Sequence, residues 1–464
     1  MTMPALAAIW AALGGSPDWL EWVRVTGAGD LPSVFPVTDL AAASVGSACL
    51  AVAELVAARH GTRPDVAVDR RLASLWFGSS LRPLGWELPP AWDAVAGDYR
   101  ATDGWIKLHT NAPHHRVAAL AVLGVPAERD QMARAVAGWQ ADALECAIVA
   151  AGGCAAAMRD AAAWAVHPQG RAVAADPLLH HALGSPGPAP SWTVPPGRPL
   201  QGVRVLDMTR VLAGPVATRF LAGFGAEVLR IDPPGWDEPA VLPGVTLGKR
   251  CARLDLRQPA DRAVWEGLLR GADVLVHGYR PGALDGLGLD AARRSAARPG
   301  LVEVSLNAYG WHGPWAGRRG FDSLVQMSCG IADAGMRGLG ADRPTALPVQ
   351  ALDHATGYIT AAAAVRGLAD QLARGTGCMV RASLARTAAL LVGLPPGRPV
   401  PMAAAADGDY LDAPEATGWG PARRLRPPGT VGGAPMDWAV PAGALGTSAA
   451  AWRPRGCCTA LQSR

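Results

Sequence analysis

The sequence predicts an α/β protein in which a small α+β domain precedes a large domain built on a parallel sheet. After about residue 200, short apolar strands alternate with helical segments, which is the pattern of βαβ units. Before that point, residues 98–110 (DYRATDGWIKLHT) form two β-like runs around an ATDG turn. A stretch rich in Pro, Gly and Ser, residues 184–199, separates the two parts and predicts a linker.

Apolar runs define the strands of the predicted large domain. Strands are expected at residues 203–208, 226–232, 252–256, 273–279 and 301–309. A helix is expected after the first strand, with Gly214 as its cap and Pro215 at its first position, and another around residues 262–269. Ligands of such a sheet bind beyond the carboxyl ends of its strands, so the functional residues are expected there.

Two stretches of the chain match each other. Asp39 and Asp353 each open an Ala-rich helical run, followed at the same offset by Gly-Thr (residues 61–62 and 375–376) and a short β-like stretch. Near a helix start, backbone N–H groups and the helix dipole favour a carboxylate. A unit headed by a candidate catalytic carboxylate is therefore predicted to occur twice. The alternative is that two Ala-rich helices resemble each other by composition alone.

The composition indicates a globular protein and excludes several functional classes. Of the 464 residues, 50% are hydrophobic and 18% are charged. The net charge of +4 includes no dense basic block, so nucleic-acid binding is not indicated, and the mildly basic balance suits an anionic ligand. No uninterrupted apolar run reaches membrane-spanning length, and the apolar start lacks the basic region of a signal peptide. We therefore expect a cytoplasmic protein that does not bind membranes.

The cysteines predict neither a disulfide framework nor a metal site. No CxxC pair or zinc-type spacing occurs among them, so we expect reduced and mostly buried thiols. The eight cysteines are Cys49, Cys146, Cys154, Cys251, Cys329, Cys378, Cys457 and Cys458.

The first βα turn of the predicted large domain argues against a nicotinamide cofactor. Residues 207–219 are DMTRVLAGPVATR and contain no GxGxxG. A dinucleotide loop needs such glycines for close approach of the backbone to the pyrophosphate. The remaining argument for a nicotinamide enzyme is Asp232, which ends the second strand where such enzymes carry an acid.

Several longer motifs occur in order along residues 200–391. They are PLQGVRVLDMTRVLAGPVATRFLAGFGAEVLRID, GKRCARLDL, HGYRPGALDGLGLD, VSLNAYGWHGP, GFDSLVQMSCGI and ALDHATGYITAAAAVRGLADQLARGTGCMVRASLA. In this order and spacing they resemble the family III CoA-transferases, the carnitine-dehydratase and bile-acid-inducible protein family. The resemblance implies a Rossmann-like large domain, a small domain and an interlocked homodimer. It also implies a reaction in which coenzyme A moves from an acyl-CoA to a carboxylic acid.

The resemblance places the family's nucleophilic aspartate at Asp353. A carboxylate can attack an acyl-CoA thioester to form a mixed anhydride, and the released thiolate can return to give an aspartyl–CoA thioester. We expect the helix start to keep Asp353 ionised and its N–H groups to stabilise developing oxyanions.

The same resemblance suggests residues that contact coenzyme A. Arg210 and Arg230 are expected to meet its phosphates, Lys249 fits a position that often carries a cation, and Tyr279 with Arg280 matches a segment near the adenosine. For each arginine, the alternative is an ordinary solvated surface charge.

Two other functions within the superfamily stay open. The racemases of this superfamily have a segment that corresponds to residues 320–324 (GFDSL) of this chain. They carry a His directly before the Asp of that segment, whereas this chain has Phe321 before Asp322. A racemase needs acid/base groups on both faces of the α-carbon, so Phe321 argues against racemisation or isomerisation. A non-catalytic CoA-binding protein is the second alternative, because the order of the domains is unusual.

In single-unit members of the family, the small domain follows the catalytic-Asp segment, whereas here a small domain precedes the large domain. The order therefore suggests that the C-terminal half of one family unit is joined to the N-terminal half of another. We expect a partial repeat of the catalytic-Asp unit, a small α+β domain, a linker, the large domain, and a closing segment with a tail. Their predicted ranges are 1–90, 91–183, 184–199, 200–395 and 396–464.

The small domain is expected to close over Asp353, within the chain or from a partner subunit, because acyl transfer must exclude water. A shortened chain that begins near Gly197 is expected to bind CoA without transferring it.

Overall fold

The computed structural model describes residues 3–396 and 400–454 of the chain. The predicted tail lies outside the described residues from residue 455 onward. The α-helices, in chain order, are α1 (Pro4–Ala12), α2 (Val37–His60), α3 (Arg70–Gly78), α4 (Pro113–Leu123), α5 (Arg129–Val136), α6 (Ala141–Ala150), α7 (Ala161–Val166), α8 (Pro168–Ala175), α9 (Ala213–Gly223), α10 (Leu242–Val245), α11 (Pro259–Gly271), α12 (Ala291–Ala297), α13 (Asp322–Ser328), α14 (Ile331–Gly338), α15 (Ala351–Arg374) and α16 (Leu384–Val392). The strands are β1 (Val23–Thr26), β2 (Val66–Asp69), β3 (Leu81–Pro83), β4 (Gly97–Arg100), β5 (Trp105–Leu108), β6 (Ala155–Ala157), β7 (His180–Pro186), β8 (Arg204–Met208), β9 (Glu227–Asp232), β10 (Lys249–Arg253), β11 (Val274–His277), β12 (Val302–Asn307), β13 (Thr376–Ser383), β14 (Glu415–Thr417), β15 (Gly420–Arg424) and β16 (Gly429–Val431).

A seven-stranded sheet forms the centre of the large domain, in the order β10-β9-β8-β11-β12-β13-β7. The strands from β10 to β13 pair in parallel, and β7 joins the edge antiparallel to β13. β8 and β11 are buried along almost their whole length, as expected of parallel strands covered on both faces. The α/β prediction is therefore confirmed.

The predicted elements of this sheet need two corrections. β10 occupies Lys249–Arg253 rather than residues 252–256, because the chain already pairs with β9 from Lys249 onward. Helix α9 begins at Ala213, so Pro215 is its third residue rather than its first. The other predicted strands lie where the apolar runs place them.

The two matching stretches fold into matching helices. Helices α2 and α15 each span 24 residues and end at a glycine with φ of 72° at Gly61 and 67° at Gly375. This left-handed conformation caps a helix without the strain that a Cβ atom would add. Asp39 and Asp353 are each the third helical residue, and neither side chain caps its helix. The two helices pack extensively against each other, and Arg366 of α15 pairs with Glu54 of α2.

A small unit, which we define as residues 97–175, contains the sheet β4-β5-β6 and helices α4 to α8. Strands β4 and β5 form the antiparallel pair predicted around the ATDG turn. The apolar faces of α4, α5 and α6 cover this sheet and form a separate buried cluster.

Both ends of the described chain share the same sheets. β16 pairs antiparallel with β2, and β15 pairs antiparallel with β3. The predicted closing segment therefore completes the predicted partial repeat, although the paired residues lie 339 to 365 positions apart along the chain.

The predicted linker is shorter than its sequence suggests. β7 continues to Pro186, so residues 184–186 belong to the central sheet. Beyond it, Trp192 and Val194 are buried, and His60 Nε2 lies 2.6 Å from the Val194 carbonyl oxygen. This segment is held against the large domain rather than free.

Helix α2 is long and apolar enough to span a bilayer, with a mean hydropathy of 1.9 over 18 residues. Asp39 and Glu54 interrupt the apolar residues of α2, so this finding does not contradict the expectation that no uninterrupted apolar run reaches membrane-spanning length. In the structure, 89% of that window is buried against other elements, so α2 is a core helix here.

The packing of α2 on α15 changes what we expect of a chain that begins near Gly197. Such a chain would lose α2 and expose the part of α15 that packs on it, in a core where Ala355, Ile359 and Ala362 are fully buried. Each large aliphatic side chain exposed costs about 1.5–3 kcal/mol, against a total stability of about 5–15 kcal/mol. We therefore expect the shortened chain to fail to fold.

Candidate active site

Asp353 lies where two cavities meet, beyond the carboxyl ends of the parallel strands. The first cavity, about 410 Å³, is lined by the loops after β8, β11 and β12, and we call it the arginine cavity. The second, about 270 Å³, lies between residues 90–93 and 236–241, and we call it the tryptophan cavity. Asp353, Val211, Trp236 and Phe321 line both cavities.

The arginine cavity concentrates positive charge. Arg210, Arg280 and Arg319 all line it, and none forms an ion pair within the described residues. The Arg210 guanidinium lies 3.2 Å from Tyr279 Oη and 4.8 Å from the Trp236 ring centre. Burial, and then the neighbouring Arg319, lower the pKa of Arg280. Three cations that line one cavity without ion-pair partners form a site for a polyanion.

Three predicted coenzyme A contacts therefore come together, and two do not. Arg210, Tyr279 and Arg280 share the arginine cavity. Arg230 and Lys249 have fully buried side chains and do not line it, so the prediction that they contact CoA is corrected.

Arg230 and Lys249 instead hold the turn between β8 and α9. Lys249 Nζ lies 3.0 Å from Asp207 Oδ2, and Asp207 Oδ1 accepts hydrogen bonds from the Thr209 N–H (2.9 Å) and hydroxyl (2.5 Å). Although burial opposes its ionisation, Lys249 and then Arg230 hold the pKa of Asp207 below its usual range. The buried charges are thus paired in a fixed network that shapes the turn.

The turn itself is strained at Val211, whose φ is 64°. This left-handed conformation is costly for a β-branched residue. It is maintained by Glu238, whose Oε2 accepts a 2.8 Å hydrogen bond from the Val211 N–H and whose Oε1 lies 2.5 Å from Arg230. Arg230 therefore acts through Glu238 to position the backbone that lines both cavities.

The small unit covers Asp353 within the same chain. The loop after β5 brings His109 and Asn111 to the tryptophan cavity, and the first turn of α4 brings His114 to the arginine cavity. The His109 ring stacks on Phe321, with ring centres 3.7 Å apart and planes 2° from parallel. Burial lowers the pKa of His109 to about 4, and its Nδ1 has no hydrogen-bond partner within residues 3–396 and 400–454. A neutral imidazole therefore stands beside the residue that replaces the racemase histidine.

Asp353 is a buried and unpaired carboxyl group. Its residue is 7% exposed, and its side chain makes no hydrogen bond or ion pair to another described residue. The Asp353 N–H donates a 2.9 Å hydrogen bond to Asp322 Oδ2. Burial, and then the Asp322 carboxylate, hold the pKa of Asp353 well above its usual range, so the expectation that the helix start keeps it ionised is wrong. Burial also raises the pKa of Asp322 to about 6.

Replacing Asp353 by asparagine is expected to stabilise the protein at pH 8 by about 1–3 kcal/mol, but not at pH 4. The pKa of the Asp353 carboxyl is higher in the folded state than in the unfolded state. At pH values between these two pKa values, the folded state therefore binds more protons than the unfolded state. The free energy of unfolding therefore falls as pH rises through that window, and the amide avoids this loss. Urea unfolding at both pH values measures it. A wild-type protein as stable as the variant at pH 8 would contradict the assignment.

The counterpart of Asp353 in α2 is chemically different. The Asp39 side chain is 40% exposed and lies 2.7 Å from Arg70 Nη2, which also lies 2.7 Å from Asp30. Asp39 is therefore paired with a cation that it shares with Asp30, and neither cavity includes it.

Sequence reasoning missed several residues of the site. Arg319, His109, His114, Trp236 and Glu238 line the cavities without having been predicted. The adjacent arginines at residues 318–319 and the histidine pair at 114–115 are visible in the sequence. Their relation to Asp353 depends on how the small unit folds over the large sheet.

The part of the chain that carries these loops matches a known family. Residues 200–405 match the model of CoA-transferase family III. This segment belongs to CoA-transferase family III. The family III segment begins before β8 and ends beyond α16, so it includes the Asp353 helix. The resemblance drawn from the motifs is confirmed.

Known proteins match the chain over part of its length. It is 34% identical to the acetyl-coenzyme A transferase nodX of Hypoxylon pulicicidum over 195 residues, which are 41% of this chain and 33% of that protein. It is 31% identical to the succinyl-CoA:glutarate CoA-transferase of Mus musculus over 200 residues, 40% of this chain and 45% of that protein. A crystal structure of a hypothetical protein from Mycobacterium tuberculosis is 29% identical, with a TM-score of 0.37, over 41% of this chain and 56% of that chain. The chain thus spans about half or less of the length of these curated relatives.

Proposed function

We propose that the protein is an acyl-CoA:carboxylate CoA-transferase that works through an aspartyl–CoA thioester at Asp353. The observation that supports this most strongly is the position of Asp353 between a cationic cavity and a second, partly apolar one. The family III segment and the transferase relatives agree with this reading.

Each cavity suits one part of an acyl-CoA reaction. The phosphates of coenzyme A would lie against Arg210, Arg280 and Arg319, which offer charge-assisted hydrogen bonds. The acyl group and the free acid would occupy the tryptophan cavity, where His109 and Asn111 offer polar contacts. The thioester would then lie between them, beside Asp353.

The proposed reaction conserves charge and atoms without a cofactor. The Asp353 carboxylate attacks the thioester carbonyl, the C–S bond breaks, and a mixed anhydride and CoA thiolate form. The thiolate attacks the Asp353 carbonyl carbon, which releases the donor acid as a carboxylate and leaves the aspartyl–CoA thioester. The acceptor carboxylate then attacks this thioester, and the released thiolate takes the acceptor acyl group and restores Asp353.

The environment of Asp353 favours this role. A carboxylate with a raised pKa and no hydrogen-bond partner is a stronger nucleophile than a solvated one. Phe321, Trp236 and the small unit cover the site, which limits hydrolysis of the anhydride. The homodimer and the cytoplasmic location expected from the sequence stay predictions.

Intact-protein mass spectrometry tests the proposal. The protein is incubated with acetyl-CoA and with succinyl-CoA, the acyl-CoAs that appear in the names of two relatives, and then with hydroxylamine. A covalent CoA adduct that hydroxylamine converts to a hydroxamate at Asp353 is expected. CoA binding without an adduct from either donor would favour the non-catalytic alternative.

No α-proton exchange is expected on a 2-methylacyl-CoA in deuterated water, followed by NMR of the α-position. Phe321 supplies no acid/base group at the racemase position. His109, stacked on Phe321, is the one observation that favours the racemase alternative. If the wild type incorporates deuterium and His109→Phe does not, the proposed function would have to change from CoA transfer to racemisation.

A further inference from the structure

Three metal-ligating side chains meet at a seam remote in sequence from the Asp353 helix. Asp176 follows helix α8, His180 begins strand β7, and His312 lies in the loop after β12. Asp176 Oδ1 lies 2.6 Å from His312 Nδ1, and Asp176 Oδ2 lies 3.5 Å from His180 Nε2. One ligand atom from each residue lies within 4.8 Å of those of the other two. The cluster therefore links the end of α8, in the small unit, to strand β7 and to the loop after β12 of the central sheet.

Two of these ligand atoms lack a hydrogen-bond partner. Asp176 Oδ2 and His180 Nε2 are both buried and make no hydrogen bond among the described residues, their one contact being the 3.5 Å approach to each other, and the Asp176 side chain is only 6% exposed. Buried polar atoms are nearly always satisfied, so this pair calls for a ligand.

The surrounding charge permits a cation. Asp176 carries the one negative charge of the cluster, and Arg386 is the cation close enough to influence it electrostatically. The His312 side chain is 67% exposed, which gives an ion direct access from solvent.

We propose that Asp176, His180 and His312 bind one zinc ion. Two imidazoles and one carboxylate are a common zinc ligand set, and water can complete a tetrahedral shell. Imidazole favours zinc over magnesium, which prefers oxygen ligands. The ion would clip the end of α8 and strand β7 to the loop after β12, and so fix the small unit against the large sheet. This site departs from the absence of metal predicted from the cysteine spacing.

Calorimetric titration of zinc chloride into EDTA-treated full-length protein tests the site. A variant with Cys457→Ser and Cys458→Ser serves as the parent, because adjacent thiols also bind zinc. One ion per chain is expected, together with a rise in melting temperature, and magnesium chloride should give neither. Because losing even an outer partner of a metal ligand weakens binding by about 10–100-fold, His180→Gln and His312→Gln should each weaken it at least tenfold.

His181→Gln is the matched control. His181 is the next residue of β7, points to the opposite face of the strand, and lies with Nε2 3.0 Å from the Ala12 carbonyl oxygen. This variant should bind zinc like the parent. The exposed position of His312 means that His312→Gln should fold normally, so its result stands even if His180→Gln is unstable. Absence of saturable binding in the parent, or equal binding in the parent and His312→Gln, would overturn the proposal.

Discussion

Replacing Asp353 with alanine is expected to abolish CoA transfer, whereas replacing Asp39 with alanine should leave most of it. In other enzymes with a covalent intermediate, loss of the nucleophilic machinery costs about four to six orders of magnitude in kcat. Asp353 lines both cavities and has no side-chain partner among the described residues. Asp39 occupies the same position in a matching helix, but Arg70 pairs with it.

The measurement is transfer of CoA from succinyl-CoA to glutarate and other acids, followed by chromatography of the acyl-CoA products. Intact-mass analysis of each variant shows whether an adduct forms. Asp39→Ala is a strict control, because it removes a carboxylate at the third position of a 24-residue helix. Survival of activity in Asp353→Ala, or its loss in Asp39→Ala alone, would refute the assignment of the nucleophile.

Replacing Arg280 and Arg319 together with glutamine is expected to weaken CoA binding roughly a hundredfold or more. A hydrogen bond to a charged group contributes about 1.5–3 kcal/mol, so losing two costs at least about 3 kcal/mol. Both arginines line the arginine cavity without an ion-pair partner in the described part of the chain. Their removal therefore leaves no buried carboxylate unpaired, and the fold should be retained.

Calorimetry with CoA and with NAD provides the measurement. CoA should bind the wild type with an affinity that falls as salt rises, and this dependence should be smaller in the double variant. NAD should give no heat with either protein. Arg257→Gln serves as the control, since this arginine is 76% exposed and pairs only with its neighbour Asp255. Unchanged CoA affinity in the double variant would place the phosphates elsewhere.

Much of the large domain was predictable because its determinants are local. The apolar runs of β8, β9 and β12 and the glycines that end α2 and α15 act through backbone conformation and burial of neighbouring side chains. The motif order was enough to identify the family and to mark Asp353. Arg210, Tyr279 and Arg280 were found because they lie in segments that resemble the family's motifs, directly after strands.

The roles of Arg230 and Lys249 could not be predicted in the same way. A cation near the end of a strand can face a ligand or a buried carboxylate, and the sequence does not distinguish the two. Here Asp232, Glu238 and Asp207 are buried beside them, so the charges are used inside the protein.

The sequence by itself determined the α/β class, the family III segment, the two matching helices and the candidate nucleophile. Only the tertiary structure decided that β16 completes a sheet with β2, that α2 packs on α15, and that His109 and Arg319 reach the Asp353 cavities. It also decided the pKa of Asp353, since burial outweighs the effect of the helix start. The physical reason is the same in each case. Strand pairing and desolvation depend on which distant parts of the chain bury each other from water, and the residues next to a position in the sequence do not determine this.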